Sequence, residues 1–578
     1  MQGFTAPTTD FTELQSTMRA IEHACTSIQM HINPGASEAV ILSLGQSSQP
    51  YKTCQFILEN SQVATARFQA AAAIREAAIR EWGFLSADDK RGLISFCLCY
   101  VMQHASSPDG YVQAKVSSVA TQLMKRGWLE FVPAEKEALF YQVNQAIVGI
   151  HGLDVQFAGI KFLDSLVSEF SPSTSSAMGL PREFHEQCRR SLEQDYLKTF
   201  YRWTQEAASS VTNRIIESDS AVPEVKVCTA ALDHMLQILN WDFRSNTSET
   251  KINVNVFSAG VRQDGDSLKR SECHLVQPGS DWHDVLILSS HVGWLLSLYA
   301  ALRLKFSCEG YWLDCPIAVS ARKLVVQFCS LTGAVFLSDD GKMHEQHLLQ
   351  LLSGIIEWVD PPDAVSKAIE NGKSDSEMLD GCRALLAIAN VTTPYVFEGL
   401  LKSMRPIGTL TFLSMLMSEV IKVLMTSNTE EETWSWEARD VLLDTWTAIL
   451  TPINTINVNA LLPSEGIKAA ANLFGFIVEC ELRLASATAF NDEGDSDYLH
   501  ASVSAMDERL SCYALIARAS IDVTIPLLIR VFSERVGHLN QMKGRGNYRW
   551  FLIRYKPSLL LTLLKQINIL LFYFPAQS

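Results

Sequence analysis

Charge is scarce in this chain. Only 19% of its residues are charged, against about 25% in an ordinary globular protein, while 47% are hydrophobic. This balance excludes general disorder and supplies ample apolar surface for a continuous core. A secretory leader is not expected either, since the start, MQGFTAPTTDF, has no basic stretch followed by an apolar one. The 13 cysteines are odd in number and run from Cys25 to Cys512 without paired spacing. They exclude a disulfide framework and fit buried thiols in a reducing compartment, the cytosol or nucleus. A net charge of -15 and a pI near 5.4 argue against a broad grip on nucleic acid and favour basic protein partners.

Catalytic signatures are missing as well. Gly372-Lys373-Ser374 resembles the end of a phosphate loop, but such a loop needs a glycine five residues before Gly372, where Lys367 stands. Asn371-Gly372 reads instead as the cap of the helix before it. His344 and His347 lack further ligands at useful spacing, and Cys97 and Cys99 lie inside an apolar helical run, so no zinc site is expected. Gly45-Gln46-Ser47 lacks the closing glycine of a nucleophile elbow. With no acid, base, nucleophile and metal set at recognisable spacing, the chain does not read as an enzyme and calls for no cofactor. Strand alternation is confined to 251–257, too short to stand as a sheet.

What the sequence has is helical period. Ala66 to Trp82, ARFQAAAAIREAAIREW, is rich in the best helix former, and it places Phe68, Ala71, Ile74, Ala78 and Ile79 on one face. The next run, Asp88 to His104, offers Leu93, Ile94, Phe96, Cys97, Tyr100 and Val101, and the two are expected to form a hairpin that needs neighbours on both sides. Gln69, Gln113 and Gln156 supply the spacing, with steps of 44 and 43 residues, and Ile79, Leu123 and Leu166 each follow ten residues later. A period of roughly 40–47 residues is that of HEAT-like helix pairs. The expected fold is therefore all-α: a HEAT-repeat-like α-solenoid, an open superhelix of roughly ten to thirteen antiparallel hairpins.

Helix and stop alternate along the rest. Asp10 to Met30 ends at Asn33-Pro34-Gly35, Asp154 to Phe170 precedes a polar loop, and Glu183 to Arg202 and a run after Pro223 follow. Later helices are expected at Val285–Lys305, Ala321–Leu331 and Glu345–Trp358, with stops at Pro361-Pro362, Pro406 and Asn428. The reading divides the chain into 1–170, a longer-looped 171–540, and an atypical tail, 541–578. From Lys543 the residues are apolar on every side, with no polar face for a capping repeat, so the chain is expected to be the amino-terminal part of something longer. A membrane anchor at Leu559 to Phe574 is disfavoured: it falls short of about 20 residues and is broken by Lys565, Gln566 and Asn568.

Several blocks carry a family resemblance. Cys54, Ile57, Leu58 and Glu59, then Phe68-Gln69-Ala70-Ala71, Arg80-Glu81-Trp82, Lys125-Arg126-Gly127-Trp128-Leu129 and Ile238-Leu239-Asn240-Trp241-Asp242-Phe243 resemble the exportin-4 branch of the karyopherin-beta (importin-beta) superfamily. That resemblance implies a transport receptor that binds Ran-GTP and protein cargo, including the hypusinated translation factor five-A. It also implies contact with nucleoporins and passage between nucleus and cytoplasm through the nuclear pore. On this expectation the amino-terminal repeats meet Ran, with Lys90, Arg91 and Gln103 as reachable polar positions on the second helix of a hairpin. The acidic runs Glu430-Glu431-Glu432 and Asp492, Glu493, Asp495 and Asp497 are candidate contacts for a basic partner, or else solvated loop. Trp82 and Trp128, each next to a glycine at a helix end, are expected in the core. The competing reading is a solenoid scaffold or vesicle-coat adaptor that uses no GTPase.

Overall fold

The computed structural model describes residues 8–171, 179–218, 221–243, 275–305, 315–337, 341–371, 375–426, 433–450, 464–488, 509, 512–517 and 519–542. Among these, every regular element is a helix, and extended backbone pairs only at an isolated bridge between Val276 and Leu331. The fold is the expected all-α solenoid. The short alternation at 251–257, the acidic residues Glu430, Glu431, Glu432, Asp492, Glu493, Asp495 and Asp497, the stretch 372–374 and the tail from Lys543 lie outside the described residues. The chain forms two compact units, Met1–Trp241 and Asp242–Ser578.

The first unit contains α1 (Thr8–Gln29), α2 (Pro34–Gln46), α3 (Tyr51–Asn60), α4 (Ala64–Glu81), α5 (Ala87–Gln103), α6 (Gly110–Gly127), α7 (Pro133–Ile147), α8 (Leu153–Phe170), α9 (Arg182–Leu192), α10 (Lys198–Glu217) and α11 (Val222–Leu239). Helices pair as α1/α2, α3/α4, α5/α6, α7/α8 and α10/α11, and the second members α2, α4, α6, α8 and α11 stack on one another in chain order. This corrects the phase expected from sequence. The alanine helix α4 pairs with α3 before it, and α5 opens the following hairpin with α6 instead of closing one with α4. Residues 61–63 separate α3 from α4, and Trp82–Phe84 forms a 3₁₀ turn between α4 and α5.

Burial also resets the register by two residues. α4 buries Ala66, Ala70, Ala73, Ile74, Ala77 and Ala78; α6 buries Val112, Val116, Val119, Ala120, Leu123 and Met124; α8 buries Gly159, Phe162, Leu163, Leu166 and Val167. These sets coincide when Arg67, Gln113 and Gln156 are aligned, so Gln69 is not the counterpart of Gln113. Phe68 and Ile79 lie half-exposed at the margin of the buried stripe. At the shared position Gln156 Nε2 donates to the Ile147 carbonyl at 2.8 Å, and Gln113 Nε2 donates likewise to His104. Each glutamine thus satisfies a carbonyl orphaned at the end of the preceding helix.

Local chemistry sets the helix ends. Ser86 Oγ accepts from Asp89 N at 3.1 Å and caps α5, with Asp88 and Asp89 in the first turn, where acidic groups suit the helix dipole. The helix expected at Glu183–Arg202 is longer, running through a π turn, Glu193–Leu197, into α10.

The second unit contains α12 (His291–Lys305), α13 (Pro316–Cys329), α14 (Lys342–Val359), α15 (Asp363–Asn371), α16 (Asp375–Val391), α17 (Pro394–Lys402), α18 (Thr409–Thr426), α19 (Thr433–Leu450), α20 (Ser464–Thr488) and α21 (Ile521–Met542). α13, α16 and α19 stack as one row, α14 lies on α16 and α17, and α18 packs on α17, α19 and α20. Arg322 of α13 is fully buried. Its Nε lies 2.9 Å from Asp380 Oδ2 on α16, and it donates to the Tyr299 hydroxyl of α12 at 3.2 Å. Tyr299 in turn donates to Glu377 at 3.1 Å, and Arg383 links Asp380, at 2.8 Å, to Glu437 of α19, at 2.5 Å. Ser280–Lys305 and Thr409–Thr426 are long and apolar enough to cross a membrane by composition, but α18 buries most of its length against its neighbours.

Candidate partner surface at the amino-terminal repeat boundaries

Each stacking helix α4, α6 and α11 is followed within two residues by a tryptophan that closes the boundary to the adjoining elements. Trp82 is 2% exposed and donates from Nε1 to Glu130 Oε1 at 3.0 Å. Lys90 Nζ sits 5.0 Å from the ring centroid and Arg126 5.6 Å. Trp128 is fully buried against Phe140, Phe170 and Tyr196, with Lys136 Nζ 4.3 Å from its ring. Trp241 donates to Glu193 Oε2 at 2.9 Å under Arg189, 4.9 Å away. A cation over the face of a desolvated indole contributes on the order of 1–2 kcal/mol, and the same arrangement recurs three times. Lys90 and Lys136 stand eight residues after their tryptophans, so this part of the repeat was visible as spacing.

Lys90 and Arg91 come together at the start of α5, but neither is a bare surface charge. Lys90 Nζ lies 2.8 Å from Glu130 Oε2, and its side chain is 13% exposed. Arg91, 39% exposed, pairs with Asp88 on its own helix and with Glu135 in the first turn of α7. Burial pushes the Glu130 carboxyl up, yet the hydrogen bonds from Lys90 and Trp82 outweigh it and hold its pKa below the usual carboxylate value. Gln103 is exposed at the far end of α5, thirteen residues and about 20 Å from Lys90 along the helix axis. The three candidates therefore do not converge: Lys90 and Arg91 form one patch and Gln103 stands apart.

Sequence reasoning missed Glu130 and Glu135. Both lie about one repeat away from the cations they hold, so only the register could have exposed them. The histidine pair is core: His347 Nε2 lies 3.1 Å from the Phe328 carbonyl, with its pKa pushed down to about 4 by burial, and His344 packs on the Phe336 ring. Cys97 is buried and Cys99 exposed. Among the described residues, no group of three or more His, Cys, Asp or Glu side chains is placed to hold a metal ion.

Comparison with known proteins agrees with this architecture. A family model described as Exportin-4 matches residues 12–468. Exportin-4 of Dictyostelium discoideum is 27% identical over 330 residues, which cover 55% of this chain and 28% of that protein. The chain thus matches little more than a quarter of the relative's own length.

Proposed function

The chain belongs to the Exportin-4 family, and from that premise we propose that it serves in a nuclear transport receptor: it binds Ran-GTP and protein cargo and carries cargo from nucleus to cytoplasm through the nuclear pore. The match across residues 12–468 is the observation that carries this reading. Stacked helix pairs support it physically, because a solenoid in which each repeat touches its neighbours can change curvature by small adjustments at every boundary. Linked binding follows: if cargo and Ran-GTP favour the same curvature, each raises the affinity for the other. Hydrolysis on Ran then ends the coupling, and the energy comes from the GTPase. Cargo includes the hypusinated translation factor five-A in this proposal, and nucleoporins are met in transit.

We assign the Ran contact to the repeats within 1–170, at Lys90 and Arg91, with Gln103 as a separate polar contact. The acidic residues Glu430, Glu431, Glu432, Asp492, Glu493, Asp495 and Asp497 are proposed as contacts for basic patches on cargo or on Ran. A pull-down with Ran held in its GTP and GDP forms tests the reading. GTP-dependent capture is expected, and equal or absent capture would leave the plain scaffold. Reversing charge at Lys90 and Arg91 is expected to weaken Ran-GTP binding by more than about 1 kcal/mol, the scale of a truncated interface contact.

A further inference from the structure

We propose that Glu130 and Glu135 are internal pseudo-ligands: in the free repeats they hold the very cations an acidic partner group takes, so the partner opens a repeat-to-repeat latch as it binds. This rests on the reading that Lys90 and Arg91 meet the GTPase, and it adds the regulation of that surface.

The two carboxylates differ from Asp88 in where they come from. Asp88 lies on α5 beside Arg91 and moves with it. Glu130 stands in the turn between α6 and α7, and Glu135 lies in the first turn of α7, where it also accepts from Val132 N at 3.0 Å. A carboxylate from outside that replaces either of them therefore removes a bond between neighbouring elements. Lys90 offers no free approach, since its ammonium is enclosed by the Trp82 ring and Glu130. It becomes available only when Glu130, itself 45% exposed, turns its Oε2 aside.

The exchange has a built-in fallback. Glu130 uses Oε2 for Lys90 and Oε1 for Trp82, and Arg126 Nη1 lies 3.8 Å from Oε1. Releasing Lys90 leaves the carboxylate held by an indole N–H and a guanidinium, not stranded without partners. Opening thus costs less than losing a lone buried pair, and the boundary can alternate between two satisfied arrangements. Linkage makes the effect reciprocal: whatever weakens the latch strengthens binding of the acidic partner, and binding loosens the latch.

The opposite signs give the test. Using the full chain, affinity for Ran loaded with a non-hydrolysable GTP analogue and the thermal midpoint are measured for wild type, Glu130→Gln, Glu135→Gln and Lys90→Gln/Arg91→Gln. Glutamine keeps an acceptor for Trp82 and for the α7 cap while removing the competing charge. Each Glu→Gln variant is expected to bind about five-fold tighter and to melt lower, while the Lys90→Gln/Arg91→Gln variant binds more weakly. Equal or weaker binding by both Glu variants overturns the latch and leaves the Ran contact standing. If Lys90→Gln/Arg91→Gln binds as wild type does, or nothing binds, the Ran contact has failed and the latch with it. Hydrogen exchange on wild type supplies a readout independent of the variants: the amides of Val132 and of Ala134, Glu135 and Lys136 are expected to exchange faster in the complex, and slower exchange there overturns the proposal.

Discussion

Removing Asp380 should cost the second unit more than removing Arg322, although the two form one ion pair. Arg322 is buried among α12, α13 and α16, with Asp380 at 2.9 Å and the Tyr299 hydroxyl at 3.2 Å. Breaking a buried pair by deleting one partner costs about 3–5 kcal/mol, because the surviving charge loses its compensation. In Arg322→Met the survivor is Asp380, which keeps Arg383 at 2.8 Å, so the loss should fall near the lower end, about 3 kcal/mol. In Asp380→Asn the survivor is a guanidinium with no exposed side-chain surface, and the loss should approach about 5 kcal/mol. The double change Arg322→Met/Asp380→Leu removes both charges and should recover much of the difference, since apolar replacements of buried pairs are often neutral. The assay is hydrogen exchange at α13 and α16 amides, which reads the local opening free energy around the pair. Equal losses in the two single variants, or losses below about 1 kcal/mol in both, would refute the reasoning and mark the pair as effectively solvated.

Two further substitutions test the cores of the two units. Gly127→Ala puts a methyl 2.9 Å from Trp82 Cζ2 and onto the Phe131 ring, an overpacking that should destabilise the first unit by about 1–3 kcal/mol in chemical denaturation. His347 has its pKa pushed down to about 4 by burial, below its unfolded value of about 6.5. Its contribution is therefore intact above about pH 6.5 and lost as pH falls towards 4, with a slope of up to about 1.4 kcal/mol per pH unit. Replacing it with glutamine should flatten that slope in a pH series of melts of the second unit.

Helix periodicity was legible in the sequence because a solenoid repeats one packing problem, and each solution leaves a 3.6-residue stripe. Ala70, Ala73, Ala77 and Ala78 show this well: small residues on the stripe of α4 let α3 and α6 approach, and their spacing alone marks the face. The phase was not legible. Helices α3, α4, α5 and α6 are all apolar enough to pair in either direction, and apolar periodicity carries no mark of which neighbour each one takes. Glutamine identity then misled the register by two residues, because Gln69 shares only a letter with Gln113 while Arg67 shares its place. Arg67 pairs with Asp109 at 2.6 Å, at the start of the next stacked helix, whereas Gln113 and Gln156 reach back to carbonyls at the end of the helix before their own.

The candidate surface was partly legible for a related reason. Lys90 and Arg91 announce themselves as consecutive cations at a helix start, with Asp88 and Asp89 as the acidic residues beside them. Their true electrostatic setting is defined by Glu130 and Glu135, 40 and 44 residues later, a separation that matters only once neighbouring hairpins are stacked. Charge in a solenoid is neutralised across repeats more than along the chain, so a cationic cluster read from sequence overstates the field a partner meets. Under the latch proposal, the Lys90–Glu130 and Arg91–Glu135 bonds set both the stiffness of this boundary and the affinity of the proposed site.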